Sequence, residues 1–225
     1  MTEGVAAVVA RSSDEHNGYR GLILDFAGVL TTGVLESQQA WAEHHNLAPG
    51  AWRAALNDDP EGRRLYAALE VGEISQVEWN ASTAPLLGVQ DGANLMGRAW
   101  AGVQPALDMI KLARAARTAG LTVAMLSNSF GLEPFDPYAH VGVWDLFDVT
   151  VISEHERIAK PHPEIYQRCL DRMGLRGEQC VFVDDHLGNL PPAEALGITT
   201  VHADGQGDTV ARVAELLGLV PAAGS

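Results

Sequence analysis

The stretch Gly21-Leu22-Ile23-Leu24-Asp25-Phe26 carries three aliphatic side chains in succession and then meets a carboxylate. A continuous apolar run, rather than an alternating one, marks a strand covered on both faces, as in a parallel sheet packed between helices. Four more short runs share this character: residues 121–128, 149–153, 180–185 and 198–202, most of them rich in β-branched side chains. Helical patterns separate most of the runs. Residues 105–119 place Leu107, Ile110, Leu112 and Ala115 near helical spacing before Gly120. Residues 163–173 do the same with Ile165, Tyr166, Cys169, Leu170 and Met173 before Gly174. A short helix over 190–196 ends at Gly197, and Asp208 is placed to cap a last helix reaching Leu217. Strands alternating with helices predict a doubly wound, Rossmann-like α/β core whose parallel sheet is joined by right-handed crossovers.

Residues 34–100 break that rhythm. They show helical stretches near 36–45, 49–56, 62–71 and 75–87, punctuated by Pro49, Pro60, Gly72 and Gly88, and no convincing strand. The expected organisation is therefore a core made of residues 19–33 and 101–220, with an α-helical cap over 34–100 inserted after the first strand. Residues 1–18 read as a mobile, turn-rich leader, and the last few residues read alike. Such an insertion is placed to act as a lid, because binding crevices of open α/β sheets lie outside the carboxyl ends of the strands.

Composition narrows the function. The chain has 225 residues with 15 Lys plus Arg against 29 Asp plus Glu, a formal charge of −14. That balance argues against a nucleic-acid partner, which needs a basic footprint, and against an anionic membrane surface. No apolar run approaches the roughly 18–20 residues of a membrane-spanning helix. The apolar segment over 5–10 is too short for a signal-peptide core. With Cys169 and Cys180 as its two cysteines, the chain carries no disulfide framework, so a cytoplasmic protein with reduced thiols, monomeric or homodimeric, is expected.

The polar residues fall at strand ends. Asp25 closes the first run, Ser127 and Asn128 the second, and Asp184 and Asp185 the fourth; Lys160 lies in the loop after the third. In a parallel sheet these ends share one rim, so the groups can converge. Three carboxylates together repel and raise one another's pKa values, and a divalent cation removes that difficulty; hard oxygen ligands suit Mg²⁺, which shares its coordination with substrate phosphate. Lys160 adds a positive centre, Ser127 can hydrogen-bond phosphoryl oxygens, and Asp25 is placed to act as a carboxylate nucleophile.

These residues match a known family. Asp25-Phe26-Ala27-Gly28-Val29-Leu30, Leu126-Ser127-Asn128, Lys160-Pro161-His162-Pro163-Glu164-Ile165-Tyr166 and Val183-Asp184-Asp185-His186-Leu187-Gly188-Asn189 resemble, in order, the four motifs of the haloacid dehalogenase-like (HAD) hydrolases. The flavour is that of the helical-cap subfamilies, similar to the N-terminal phosphatase domain of soluble epoxide hydrolases. The resemblance implies Asp25 as nucleophile. It implies Mg²⁺ held by Asp25, the backbone carbonyl of Ala27 and Asp185, with Asp184 acting through water or on Lys160. It also implies Ser127, Asn128 and Lys160 on the phosphoryl group, and Asn189 orienting the cluster. The implied activity is hydrolysis of a small phosphate monoester through an aspartyl-phosphate.

One position departs from the pattern. Most family phosphatases carry a second Asp two residues after the nucleophile, as proton donor and then base; here that residue is Ala27. His186, beside Asp185, is one candidate replacement. The alternative is a phosphate- or diphosphate-binding protein, or an enzyme of altered chemistry. Dehalogenation of a 2-haloacid is a further reading, set back by the retained Asp184-Asp185 pair. Phosphonate cleavage through a cap lysine fits poorly, since Lys111 and Lys160 lie outside the insertion. Within it, Trp41, Trp52, Trp79 and Trp100 are expected mainly as core, with one or two above Asp25. Arg53, Arg63 and Arg64 are expected as solvated or as receivers of a second substrate anion, and Asp58-Asp59 as a solvated loop.

Overall fold

The computed structural model describes residues 18–205 and 208–219, so the leader read over 1–18, apart from Gly18, and the stretch 221–225 lie outside the described residues. The central sheet is parallel, with strand order β5-β4-β1-β6-β7. Its members are β1 (Gly21–Leu24), β4 (Thr122–Ser127), β5 (Val149–Ile152), β6 (Cys180–Asp184) and β7 (Thr199–His202). β2 (Thr31–Thr32) and β3 (Gln104–Pro105) form a separate antiparallel pair.

The order places β1 in the middle. The chain winds outward from β1 through β4 to β5, returns, and winds the other way through β6 to β7. β1 is thus the point where the winding reverses, and the crevice beyond its carboxyl end is where ligands of such sheets bind. Gly21 to Leu24 pair residue by residue with Thr122 to Met125 on one side and with Cys180 to Val183 on the other. All four residues of β1 are buried, as the unbroken apolar run requires.

Helices cover both faces. On one lie α6 (Leu107–Thr118) and α11 (Thr209–Leu216), packing Met109, Ile110, Ala113 and Val213 against Leu22, Leu24 and Val183. On the other, α9 (Pro163–Met173) and α10 (Leu190–Glu194) bring Ile165, Tyr166, Cys169 and Ala193 against Ile23, Phe182 and Ala124. Two details differ from the sequence pattern. Pro105 pairs with Thr31 of β2 rather than opening the helix, and Ala106 N–H donates to the Leu30 carbonyl at 2.9 Å, so α6 begins at Leu107, which is 61% exposed. Asp208 stands at the start of α11 without a side-chain capping bond.

Between β2 and β3 lie α1 (Val34–His44), α2 (Ala51–Arg53) running into a π-helical turn over Ala54–Asp58, α3 (Pro60–Glu70), α4 (Gln76–Leu86) and α5 (Leu95–Trp100). Asp59 is a helix cap rather than a solvated loop residue: its Oδ1 accepts from Glu61 N–H at 2.8 Å and Gly62 N–H at 3.0 Å. Ser75 and Glu78 form a reciprocal capping box at the start of α4. α5, which the sequence pattern did not single out, buries Leu95, Met96, Ala99 and Trp100. Two short helices, α7 (Pro137–Val141) and α8 (Ser153–Glu156), follow β4 and β5. Gln76 is buried and joins α4 to the loop after β4: its amide donates to the carbonyls of Phe130 (2.8 Å), Gly131 (3.1 Å) and Phe135 (2.9 Å) and accepts from Phe135 N–H (3.0 Å).

Candidate active site

β1, β4 and β6 deliver their polar residues to the same rim. Asp25 follows β1 and is fixed by its backbone N–H, which donates to the Val183 carbonyl at 2.9 Å. Lys160, 5% exposed, places Nζ at 2.7 Å from Asp25 Oδ1 and 2.7 Å from Asp184 Oδ2. Asp184 is fully buried and also accepts from Asn189 Nδ2 at 3.0 and 3.1 Å and from His186 N–H at 2.8 Å. Asp185 is exposed, yet Asp25, Asp184 and Asp185 each offer an oxygen within 4.8 Å of the others. Gly28 makes room for this: its φ is +73°, and a Cβ there would collide with the Asp185 carboxylate.

Charge is unbalanced in this pit, with three carboxylates around one ammonium. Burial pushes the Asp25 carboxyl up to about 7 against the pull of Lys160, with Asp184 and Asp185 adding to the rise. Burial, then Asp184, likewise raises Asp185. Lys160 is pulled down by burial, but the two carboxylates beside it outweigh that and raise it. Buried lysine is tolerated here because both neighbours are anionic. The remaining deficit is one of positive charge, and the ligand atoms are hard carboxylate oxygens, which fits a divalent cation of the Mg²⁺ type.

On the β4 side, Ser127 is 1% exposed; its Oγ donates to the Asn128 carbonyl at 3.0 Å and accepts from the Tyr138 hydroxyl at 3.0 Å. Asn128 clamps the Lys160 backbone, donating to its carbonyl at 3.0 Å and accepting from its N–H at 2.8 Å. Ala27, half-buried, stands two residues after Asp25 and has no proton to transfer. His186 is exposed.

Aromatic rings wall the site. Phe26, beside Asp25, stacks on Trp100 at 5.9 Å and 2° and meets Tyr138 at 4.4 Å, while Phe130 packs against Trp100 at 4.8 Å and Tyr66 at 6.4 Å. Trp100 is thus the tryptophan that packs on Phe26, whereas Trp41 and Trp52 face each other at 5.3 Å in the helical insertion. Arg53, Arg63 and Arg64 are exposed and engaged away from the site, with Asp58, the carbonyls of Asn57 and Asp58, and Glu61. Sequence reasoning missed Tyr66, Glu70 and Tyr138. Tyr66 and Glu70, four apart on α3, reach the strand ends, and Glu70 Oε1 accepts from Asn128 Nδ2 at 3.2 Å.

No helix among the described residues is long and apolar enough to cross a membrane. Residues 19–197 match the family described as haloacid dehalogenase-like hydrolase. A mouse protein, acyl-CoA dehydrogenase family member 10, is 38% identical over 102 residues, which cover 45% of this chain and 9% of that protein. The fructose-1-phosphate phosphatase YqaB of Escherichia coli is 26% identical over 196 residues, covering 81% of this chain and 95% of its own. A HAD family enzyme of Bacteroides thetaiotaomicron, solved with magnesium and inorganic phosphate, superimposes with a TM-score of 0.60 at 22% identity, over 82% of this chain and 93% of that one.

Proposed function

The chain belongs to the haloacid dehalogenase-like hydrolase family, and from that premise we propose that it is a Mg²⁺-dependent phosphatase of a small phosphate monoester, working through an aspartyl-phosphate on Asp25. The observation that carries this reading is Lys160 bridging Asp25 and Asp184 while Asp185 completes a carboxylate trio. The relative that aligns over almost its whole length, a sugar-phosphate phosphatase, favours the same class of substrate. Free, buried Cys169 and Cys180, their thiols pushed up to about 12 by burial, suit a reducing compartment such as the cytoplasm.

Asp25, the Ala27 carbonyl and Asp185 would hold the cation, which when bound would supply positive charge to the phosphoryl oxygens and keep Asp25 ionised. Lys160 orients the Asp25 carboxylate through Oδ1 and balances charge on the phosphoryl group. Ser127, aimed by Tyr138, and the Asn128 backbone N–H take further phosphoryl oxygens, the Asn128 side-chain amide being held by Lys160 and Glu70. Asp184 anchors Lys160, and Asn189 holds Asp184. The helices between β2 and β3 serve as the cap that encloses the substrate, and the aromatic wall from Phe26 to Tyr66 shields the reacting centre from water.

Ala27 favours a second reading, a phosphate-binding protein or an enzyme of altered chemistry, because the usual proton carrier is missing. A panel of phosphate esters, with and without Mg²⁺, on the native chain, Asp25→Asn and Ala27→Asp separates the two. Phosphate release that requires both Asp25 and Mg²⁺ supports the phosphatase. Release by Ala27→Asp alone points to the second reading, and metal-independent halide release from a 2-haloacid to dehalogenation.

A further inference from the structure

With Ala27 in place of the usual acid, a phosphatase on Asp25 needs a proton carrier from elsewhere in the chain. α3 brings one. Glu70 stands at its last residue, and its Oε1 accepts from the Asn128 amide at 3.2 Å. That same amide donates to the Lys160 carbonyl at 3.0 Å, and Lys160 Nζ touches Asp25. One turn earlier on the same face, half-buried Tyr66 lies close enough to Glu70, Asp25 and Asp185 for all three to add to the rise that desolvation imposes on its phenol. The helix end is fixed from the sheet side: Ser153 Oγ donates to the Glu70 carbonyl, and Arg157 donates to the carbonyls of Val71 and Gly72. By contrast His186 is exposed, and what it gives the site is its backbone N–H on Asp184.

We propose that Glu70 is the acid–base residue of this hydrolase, acting on the leaving oxygen and then on water from the cap side of the site. The proposal rests on the phosphomonoester reading above. In the first half, an Asp25 oxygen bonds to phosphorus, the ester P–O bond breaks, and the departing alkoxide takes the Glu70 proton. In the second half, the Glu70 carboxylate takes a proton from water as the water oxygen bonds to phosphorus. The P–O bond to Asp25 then breaks, returning free Asp25, protonated Glu70 and inorganic phosphate.

Its protonation state suits both halves. Burial pushes the Glu70 carboxyl up to about 7, against the Asn128 hydrogen bond and the Lys160 ammonium. The other charged or titratable groups on the elements packed here are otherwise engaged. Tyr66 shares the helix, Glu78 on α4 is closed into its capping box, and on α8 Glu154 accepts from Ser129 Oγ at 2.7 Å and faces His155 at 3.6 Å. Arg157 is occupied by the two carbonyls.

The test compares the native chain, Glu70→Gln, Glu70→Asp and Glu70→Gln combined with Ala27→Asp, all with Mg²⁺. The substrates are the best alkyl ester from the phosphate-ester panel and p-nitrophenyl phosphate, whose leaving group needs little protonation. Glu70→Gln is expected to lower kcat/KM on the alkyl ester by about 10²–10⁴-fold while the p-nitrophenolate burst falls less than about ten-fold. It is also expected to abolish the decline in alkyl kcat/KM expected of the native chain above about pH 7. Glu70→Asp keeps part of the alkyl turnover, and Ala27→Asp restores it in the Glu70→Gln chain. Equal losses on both esters, or an unchanged pH profile, overturn the role of Glu70 and leave the phosphatase reading standing. No Asp25-dependent release by the native chain from either ester overturns both.

Discussion

Replacing Glu70 by Gln is expected to make the protein more stable at pH 8 and to leave it unchanged near pH 4. The carboxyl is held at about 7 in the folded chain, against an ordinary value of 4.5, because burial disfavours its charged form. At about 1.4 kcal/mol per pH unit, ionising it inside the fold rather than in the unfolded chain costs about 3 kcal/mol. The sign follows from linkage. Below the unfolded value the group is protonated in both states and costs nothing; as pH rises toward the folded value the native chain loses stability, and above it the whole cost is present. Gln fills the same space, still accepts from Asn128, and carries no charge. The expected gain at pH 8 is about 2–3 kcal/mol after allowing for a weaker hydrogen bond to Asn128. In a chain of this size that raises Tm by about 4–12 °C. Asp25 imposes a similar slope, but on both chains alike, so it cancels in the difference. Urea titrations at pH 4, 6 and 8 in the presence of a chelator, read as midpoints at constant m, measure the effect. A difference that does not change between pH 4 and pH 8, or a native chain more stable than Glu70→Gln at pH 8, would refute the reasoning. A gain in stability coupled to a loss of turnover is what a strained functional residue gives.

Gln76→Ala removes three donated bonds and one accepted bond between α4 and the loop after β4, and is expected to destabilise the fold by about 2–4 kcal/mol in urea titration. Gly28→Ala forces a Cβ against Asp185 at a left-handed φ, and calorimetric titration should find Mg²⁺ bound at least about ten-fold more weakly. Mg²⁺ at a hundred times its Kd should stabilise the native chain by about 2–3 kcal/mol, more at pH 8 than at pH 5 because the raised Asp25 must ionise to bind it, and should stabilise Asp25→Asn far less.

Much of the core was legible because its strands are continuous apolar runs, a pattern that survives without knowledge of the neighbours. The five sheet strands fall within the five runs, and the polar residue ending each of three of them, with Lys160 in the loop beyond β5, lands on one rim as parallel pairing demands. Glu70 was not legible. In sequence it is one more charged residue at the end of an amphipathic helix, between Leu69 and Val71, and only the packing of the α3 end against α8 and the loop after β4 turns it inward. A cue existed in the spacing, since Tyr66 and Glu70 share a face, but helix period alone does not say which face meets which neighbour. Tyr138 was hidden for the same reason: its hydroxyl finds Ser127 across eleven residues of loop and turn. Pro105 was assigned to the start of a helix, and its pairing with β2 missed, because a two-residue antiparallel pair has too little length to show a period.

That small pair has an outcome for how such a molecule can change. Thr32 and Gln104 are cross-strand partners, so the polypeptide departs and comes back through a single doorway. Everything threaded between them can lengthen, shrink or be traded for another fold while the two doorposts stay in register. On the proposed phosphatase reading, selectivity for the substrate's organic portion and attack on its phosphorus would then reside in separately replaceable parts. With Glu70 in the role proposed for it, that residue is the exception, because a proton carrier housed in the exchangeable part would tie the turnover of each such variant to the insert it carries.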